Sequence, residues 1–332
     1  MLNKLLERPH NKIIIDRVLV QSKNKFENKK LVTESDDIKK EVVKHFKEQF
    51  RKRNHQFEII DQEWANIYKE QKEINENWYI EVMSKISEEE WIEITNSLKE
   101  DTAPGISGIS YQLIKKVSPK TREYLVEFAN KVICEGKFPK KWKLGQIYLI
   151  PKSTDWEFNL ASTRPIMLLE TFRKLVVRIV QKRLSKVFIE KQILKGTNFA
   201  GLPSESTMAP IHVLNNVIED AIQKEKELWI AFQDMRKAFD SVSMYALELS
   251  MRRIRLPESL ITFIKQLYRD REIRVITDES PTDYFTAGDG IDQGEVISPL
   301  MWRIFYDLLL VRIQQLGIGY QMELQWPINI EK

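Results

Sequence analysis

The sequence predicts an α+β protein. Long stretches repeat apolar residues at three- and four-residue intervals, as helices with one buried face do, and a few short apolar runs bounded by Pro or Gly read as strands between them. Composition agrees. The chain has 332 residues, 42% hydrophobic and 30% charged, with 11 Gly and 12 Pro, which suits a helix-rich globular chain and not a disordered one. That length holds one large domain or two smaller ones.

Taken in order, Ser35 or Asp36 caps a helix through Ile38, Val42, Val43, Phe46 and Phe50, and the basic cluster Arg51-Lys52-Arg53 follows. Trp64, Ile67, Ile74 and Trp78 stand at loose helical spacing. Ser87 with Glu90 makes a capping box before Trp91, Ile94 and Leu98. From Asp101 the texture changes to a turn-rich loop, Ala103-Pro-Gly-Ile-Ser-Gly-Ile-Ser110. Helices follow at Tyr111–Val117 and through Tyr124, Phe128 and Val132, the second ended by Gly136 and Pro139. Ile147–Ile150 reads as a strand closed by Pro151-Lys152. Leu168, Phe172, Leu175, Ile179, Leu184 and Val187 stripe the next helix, with Arg173, Lys174, Arg178, Lys182, Arg183 and Lys186 on its remaining surface.

Further helices are expected at Thr207–Ile222, Met244–Ile254, Glu258–Tyr268 and from Ser298-Pro299, where Pro occupies the first turn. Residues 273–277 and 284–287 read as a hairpin, Leu228–Phe232 as a short buried strand, and Tyr320–Trp326 as a last strand. No internal repeat is visible.

Composition excludes several classes. One cysteine, Cys134, cannot form a disulfide framework or a Cys-rich zinc knuckle, and fits a reducing, intracellular compartment, nuclear or cytoplasmic. Four scattered histidines spell no metal site. No apolar run is long enough to cross a bilayer, and the first sixteen residues lack a signal-peptide pattern. The net charge of +4 hides blocks of opposite sign: +6 over residues 1–60, −7 over 61–100 and +10 over 131–195. A concentrated positive block is what a polyphosphate partner needs, although a solvated helix face has the same composition.

The chemistry concentrates in Phe232-Gln-Asp-Met-Arg-Lys-Ala-Phe-Asp-Ser-Val242. A strand ending at Asp234 and a tight turn would present one carboxylate beside an aromatic ring, Phe239. This stretch resembles the first palm motif of reverse transcriptases of the non-LTR retrotransposon type. Three more segments resemble that family in order: Ala103–Ser110, Ile150-Pro-Lys152 with Arg164-Pro-Ile166, and Gly290-Ile-Asp-Gln-Gly-Glu-Val-Ile-Ser-Pro-Leu300. The resemblance covers about residues 95–332. It implies a right-hand polymerase fold with fingers over 95–200 and part of a palm over 201–332, a fingers-type hairpin near 272–288, and a helical, charged extension or linker over 1–94.

The resemblance also assigns roles. Asp234 would be a catalytic carboxylate and Mg²⁺ ligand, since nucleotide addition is an in-line displacement run by two Mg²⁺ ions held by hard oxygen ligands. Lys152 and Arg164 would grip the incoming triphosphate. Phe239 would pack under the sugar and exclude a 2′-hydroxyl, and Gln293-Gly294 would line the nucleotide pocket. Arg173, Lys174, Arg178 and Lys182 would face nucleic acid. The implied partners are an RNA template, a DNA primer and dNTPs. Asp240 reads as a helix cap rather than a metal ligand. Asp292 stands where relatives often carry a basic residue. The family's third palm motif, an aromatic residue, one variable residue and two adjacent aspartates, does not follow residue 300, and no thumb follows. The expectation is therefore a polymerase fragment, inactive alone. A non-catalytic RNA- or single-strand-binding remnant and a helical protein-interaction module stay open beside it.

Overall fold

The computed structural model describes residues 15–21, 29–52, 62–153, 155–194, 198–202 and 206–322. Helices and strands mix as expected. Strand β1 (Val18–Gln21) pairs with β2 (Lys29–Val32) as an antiparallel hairpin. Helix α1 (Ser35–Gln49) follows. Residues 62–83, expected to share one helical period, split into a short helix, α2 (Gln62–Ile67), and a 3₁₀ segment, Glu76–Met83. Helix α3 (Glu88–Asn96) starts at the Ser87 cap, whose Oγ accepts from the Glu90 amide at 3.2 Å. Helices α4 (Tyr111–Lys115) and α5 (Pro119–Glu135) come next, and α5 ends on left-handed Gly136.

The main sheet has the order β4-β3-β5-β6. Strand β3 (Leu144–Pro151) runs antiparallel to β4 (Thr163–Leu168) and parallel to β5 (Arg271–Val275), which pairs antiparallel with β6 (Phe285–Ala287). A parallel pair needs a long crossover. Here it is filled by helices α6 (Thr171–Lys191), α7 (Met208–Gln223), α8 (Met244–Arg253) and α9 (Glu258–Tyr268). Helix α10 (Ser298–Leu316) closes the described chain. Strand β4 was not expected, because Pro165 sits inside it. Proline lacks the ladder N–H and is tolerated at a sheet edge, and β4 is an edge strand.

One face of the sheet buries Ile147, Leu149, Met167, Ile273, Val275 and Phe285 against Ile38, Val42 and Phe46 of α1. The second core surrounds α6, whose Leu175, Val176, Val177, Ile179, Val180 and Leu184 have no exposed surface. This helix is buried nearly all round its first half, not along one stripe. Ile74, Tyr79, Val82 and Trp91 pack into the same core. Described residues before 94 thus contribute to both cores.

Two sequence expectations fail. Leu228–Phe232 forms no strand: residues 226–235 are irregular, with Trp229 87% and Phe232 85% exposed. Among the described residues no strand lies beside this run to pair with it. Residues 320–322 are not a strand either, and 323–326, like Arg53, lie outside the described residues.

If α1 belongs to the core, Phe46→Ala lowers the unfolding free energy by about 3–5 kcal/mol in a denaturant titration. A loss below about 0.5 kcal/mol, the usual size at a surface site, would mean that α1 only rests on the domain.

Candidate functional site

The blocks of opposite charge meet each other before they meet any ligand. Arg183 of α6 pairs with Glu90 of α3 and donates to the Ser84 carbonyl at 2.7 Å. Lys182 pairs with Glu93 at 2.6 Å, and Arg122 with Glu88 at 2.8 Å. The acidic block 61–100 thereby offsets part of the basic one. Lys174 is buried, donates to the Ala103 carbonyl at 3.2 Å and lies over the Tyr111 ring. Burial pulls its ammonium below the usual lysine range. It ties the Ala-Pro-Gly loop to α6, as does Glu170, which accepts from the Ser107 amide at 2.9 Å and the Ser107 hydroxyl at 2.5 Å.

Arg173 departs furthest from expectation. It is 1% exposed and cannot face nucleic acid from that position. Its guanidinium pairs with Glu295 at 2.7 Å and Asp292 at 3.5 Å, and donates to the Trp142 carbonyl and to the Leu267 carbonyl at 3.2 Å. Asp292 also pairs with Arg271, which donates to the carbonyls of Asp289 and Gly290 at 2.9 and 3.0 Å. Two arginines and two carboxylates, one arginine on α6 and one on β5, thus hold the turn 289–295 from behind. Burial pushes the Glu295 carboxyl up, against the pull of Arg173. Arg178 is half-buried beside them, and Lys182 alone of the four proposed nucleic-acid contacts is exposed.

The front of that turn is where predicted site residues converge. The Gln293 carbonyl accepts from the Met167 amide of β4 at 2.7 Å. Gly294 has φ +133°, and a Cβ there would stand 2.4 Å from the Met167 carbonyl oxygen, so only glycine fits. The Phe239 carbonyl accepts from the Ile291 amide at 2.9 Å, and the Gly290 amide donates to Val242 at 2.9 Å. The half-buried Phe239 ring lies 6.1 Å from that of Trp302 on α10. Phe239, Gln293 and Gly294 are thus brought to one place. Arg164 is exposed three residues before Met167, about 10 Å along β4, opposite Ile150 of β3. Lys152 is exposed at the same end of the hairpin, its ammonium on the Ala161 carbonyl at 3.2 Å.

Asp234 makes no hydrogen bond to this group. It is exposed on the irregular run and makes no hydrogen bond or ion pair with other described residues. Among the described residues no set of three or more His, Cys, Asp or Glu could hold a metal ion. No described helix is long and apolar enough to cross a membrane.

Sequence reasoning missed the contribution of α1. Gln49 donates to the buried Asp240 carboxylate at 2.7 Å, and His45, one helical turn earlier, is half-buried near Lys237. The Phe50 carbonyl accepts from the Gly288 amide at 2.8 Å. The end of α1 therefore backs the turn that carries Phe239. Burial lifts the Asp240 carboxyl to about 6, and lowers His45 to about 4. The i, i+4 spacing of His45 and Gln49 was a visible signal, but its target lies 191 residues away.

Comparison with known proteins gives one family. Residues 150–322 match the family described as reverse transcriptase (RNA-dependent DNA polymerase). The chain is 29% identical over 217 residues to a probable RNA-directed DNA polymerase from transposon BS of Drosophila melanogaster, covering 65% of this chain and 24% of that protein. It is 25% identical over 223 residues to the RNA-directed DNA polymerase from mobile element jockey of the same species, covering 67% and 24%. A Pol polyprotein from the type-1 retrotransposable element R2 of Nasonia vitripennis is 26% identical over 200 residues, covering 60% and 19%. The aligned part of the chain spans about a quarter of the length of the first two relatives.

The folded Asp240 carboxyl holds its proton more tightly than the unfolded chain between pH 3.8 and about 6, so its contribution to stability falls as pH rises through that window. Asp240→Asn should flatten that part of the pH profile and be the more stable protein at pH 7, by up to about 3 kcal/mol. Parallel profiles for the two proteins would show that Asp240 ionises as freely as in water.

Proposed function

Since this chain belongs to the reverse transcriptase (RNA-dependent DNA polymerase) family, we propose that it carries the nucleotide-gripping part of an RNA-directed DNA polymerase of the non-LTR retrotransposon type. Residues 95–200 would act as fingers and 201–332 as part of the palm. Its partners would be an RNA template, a DNA primer and dNTPs. One observation supports this reading above the others: Phe239, Gln293 and Gly294, from two separate motifs, meet beside Met167, on the strand that also bears Arg164.

In this reading Arg164 grips the triphosphate by paired charge-assisted hydrogen bonds, and Lys152 adds a mobile positive charge. Gly294 lets the substrate approach the backbone. Phe239, stiffened by the Ile291 hydrogen bond and by Trp302, would fill the space a 2′-hydroxyl needs. The family implies Mg²⁺. The residues present fit that role only in part, because Asp234 is exposed and accessible but offers a single carboxylate, while Asp240, Asp292 and Glu295 are buried. One carboxylate cannot hold two Mg²⁺ ions against their mutual repulsion. We therefore propose that this chain alone does not extend a primer.

The test combines binding and extension with an RNA template, a DNA primer, dNTPs and Mg²⁺. The expected outcome is primer–template binding that weakens with salt, dNTP binding reduced about tenfold by Arg164→Ala, and no extension. No primer–template affinity at moderate salt would remove the polymerase reading. Extension abolished by Asp234→Ala would keep that reading and overturn the proposed inactivity.

A further inference from the structure

The Phe239 ring stands on a three-residue 3₁₀ turn, Phe239-Asp-Ser241, that lies in no strand. Its position is therefore set by what grips the turn. The Phe239 carbonyl accepts from the Ile291 amide at 2.9 Å, and the ring lies 6.1 Å from that of Trp302. Gly290, at φ +89°, passes so close that a Cβ there would stand 3.0 Å from the Asp240 Cα. A further grip comes from α1. Gln49 and Asp240 are both buried, and the Gln49 amide donates to the Asp240 carboxylate at 2.7 Å. One residue on, the Phe50 carbonyl accepts from the Gly288 amide at 2.8 Å and the Asp289 amide at 3.3 Å. The end of one helix thus holds the turn 239–241 through a side chain and its neighbour 288–291 through the main chain.

We propose that Gln49 is a positioning residue for sugar selectivity. Through Asp240 it fixes how far the Phe239 ring reaches into the nucleotide pocket, and so how strongly a ribonucleoside triphosphate is rejected against its deoxy form. The inference rests on the reading of Phe239 as the ring under the sugar, and adds to it a buried residue on a distant helix.

The reason is the short range of contact forces. A radial gap of about 0.5–1 Å already forfeits much of a van der Waals contact, so a ring that retreats by that much no longer excludes one extra oxygen. A ring on an irregular turn retreats if the turn is loose. The Gln49 bond opposes this, because breaking it leaves a buried carboxylate short of a donor. Arg164 and Lys152 sit on the β3–β4 hairpin and make no contact with Gln49. Losing the Gln49 bond therefore frees the ring without loosening the grip on the triphosphate.

The test measures the affinity of dCTP and of CTP for the full chain with Mg²⁺, on an RNA–DNA primer–template whose first unpaired template base is guanine. The parent chain should prefer dCTP, by up to about 100-fold. Gln49→Leu keeps the bulk and removes the donor. It should cut that preference about tenfold by tightening CTP. Gln49→Glu sets two carboxylates face to face and should do the same. Gln49→Glu with Asp240→Asn exchanges the amide and the carboxylate, and should restore the preference. Should Gln49→Leu not fold, this last pair of variants decides by the same ratio. A merely structural Gln49 would weaken both nucleotides alike, and an unchanged ratio would overturn the proposal. A preference that Phe239→Ala abolishes and the Gln49 variants leave intact would overturn it while keeping Phe239 as the excluding ring. No dCTP binding by the parent chain would overturn the nucleotide-gripping reading, and this inference with it.

Discussion

The constraint on which the candidate site most depends is the buried guanidinium of Arg173. It stands on the central helix α6 and reaches Glu295 and Asp292 behind the turn 289–295. Arg271 of β5 reaches the same Asp292 from the sheet. The helical core and the sheet are thereby joined at one point, and the front of that point carries Gln293, Gly294 and, through Ile291, Phe239. Buried ion pairs of this kind add little net stability, because desolvation offsets much of the Coulombic gain. Breaking one is another matter, since a lone buried charge costs about 3–5 kcal/mol. The cluster therefore acts more as a lock on geometry than as a source of stability.

A second constraint comes from the N-terminal helix. Gln49 and the Phe50 carbonyl hold Asp240 and Gly288, while Phe46 and Val42 cover the sheet. The turn is thus backed from two sides, by α6 and α1, with β4 in front. Three elements, each far from the turn in sequence, agree on one position, which is how a loop is made rigid without a strand of its own.

Much of the fold was legible in the sequence because its signals are local. Ser87 with Glu90, Gly136 after α5 and Pro299 at the start of α10 mark helix ends by chemistry that acts within a few residues. What failed depends on distant partners. Leu228–Phe232 has the composition of a strand, but a strand needs a neighbour, and none is described beside it. Pro165 hid β4, because its tolerance follows from an edge position that only the sheet order reveals. The charge of Arg173 and Lys174 was visible, yet their acceptors, Glu295 and the Ala103 carbonyl, lie 122 and 71 residues away. The basic block suggested a nucleic-acid surface, and part of it proved to be matched to the acidic block. Asp292, read as a departure from a basic position, is one of the four charges in the central lock.

The most direct test of that lock is amide hydrogen exchange in Glu295→Gln, which keeps the side-chain shape and removes the charge. Faster exchange across 289–296 and at the Met167 amide, with α9 and the α1–sheet core unchanged, is the result this account predicts. Unchanged protection at Met167 would show that the turn is held without the Arg173–Glu295 pair, and would contradict it.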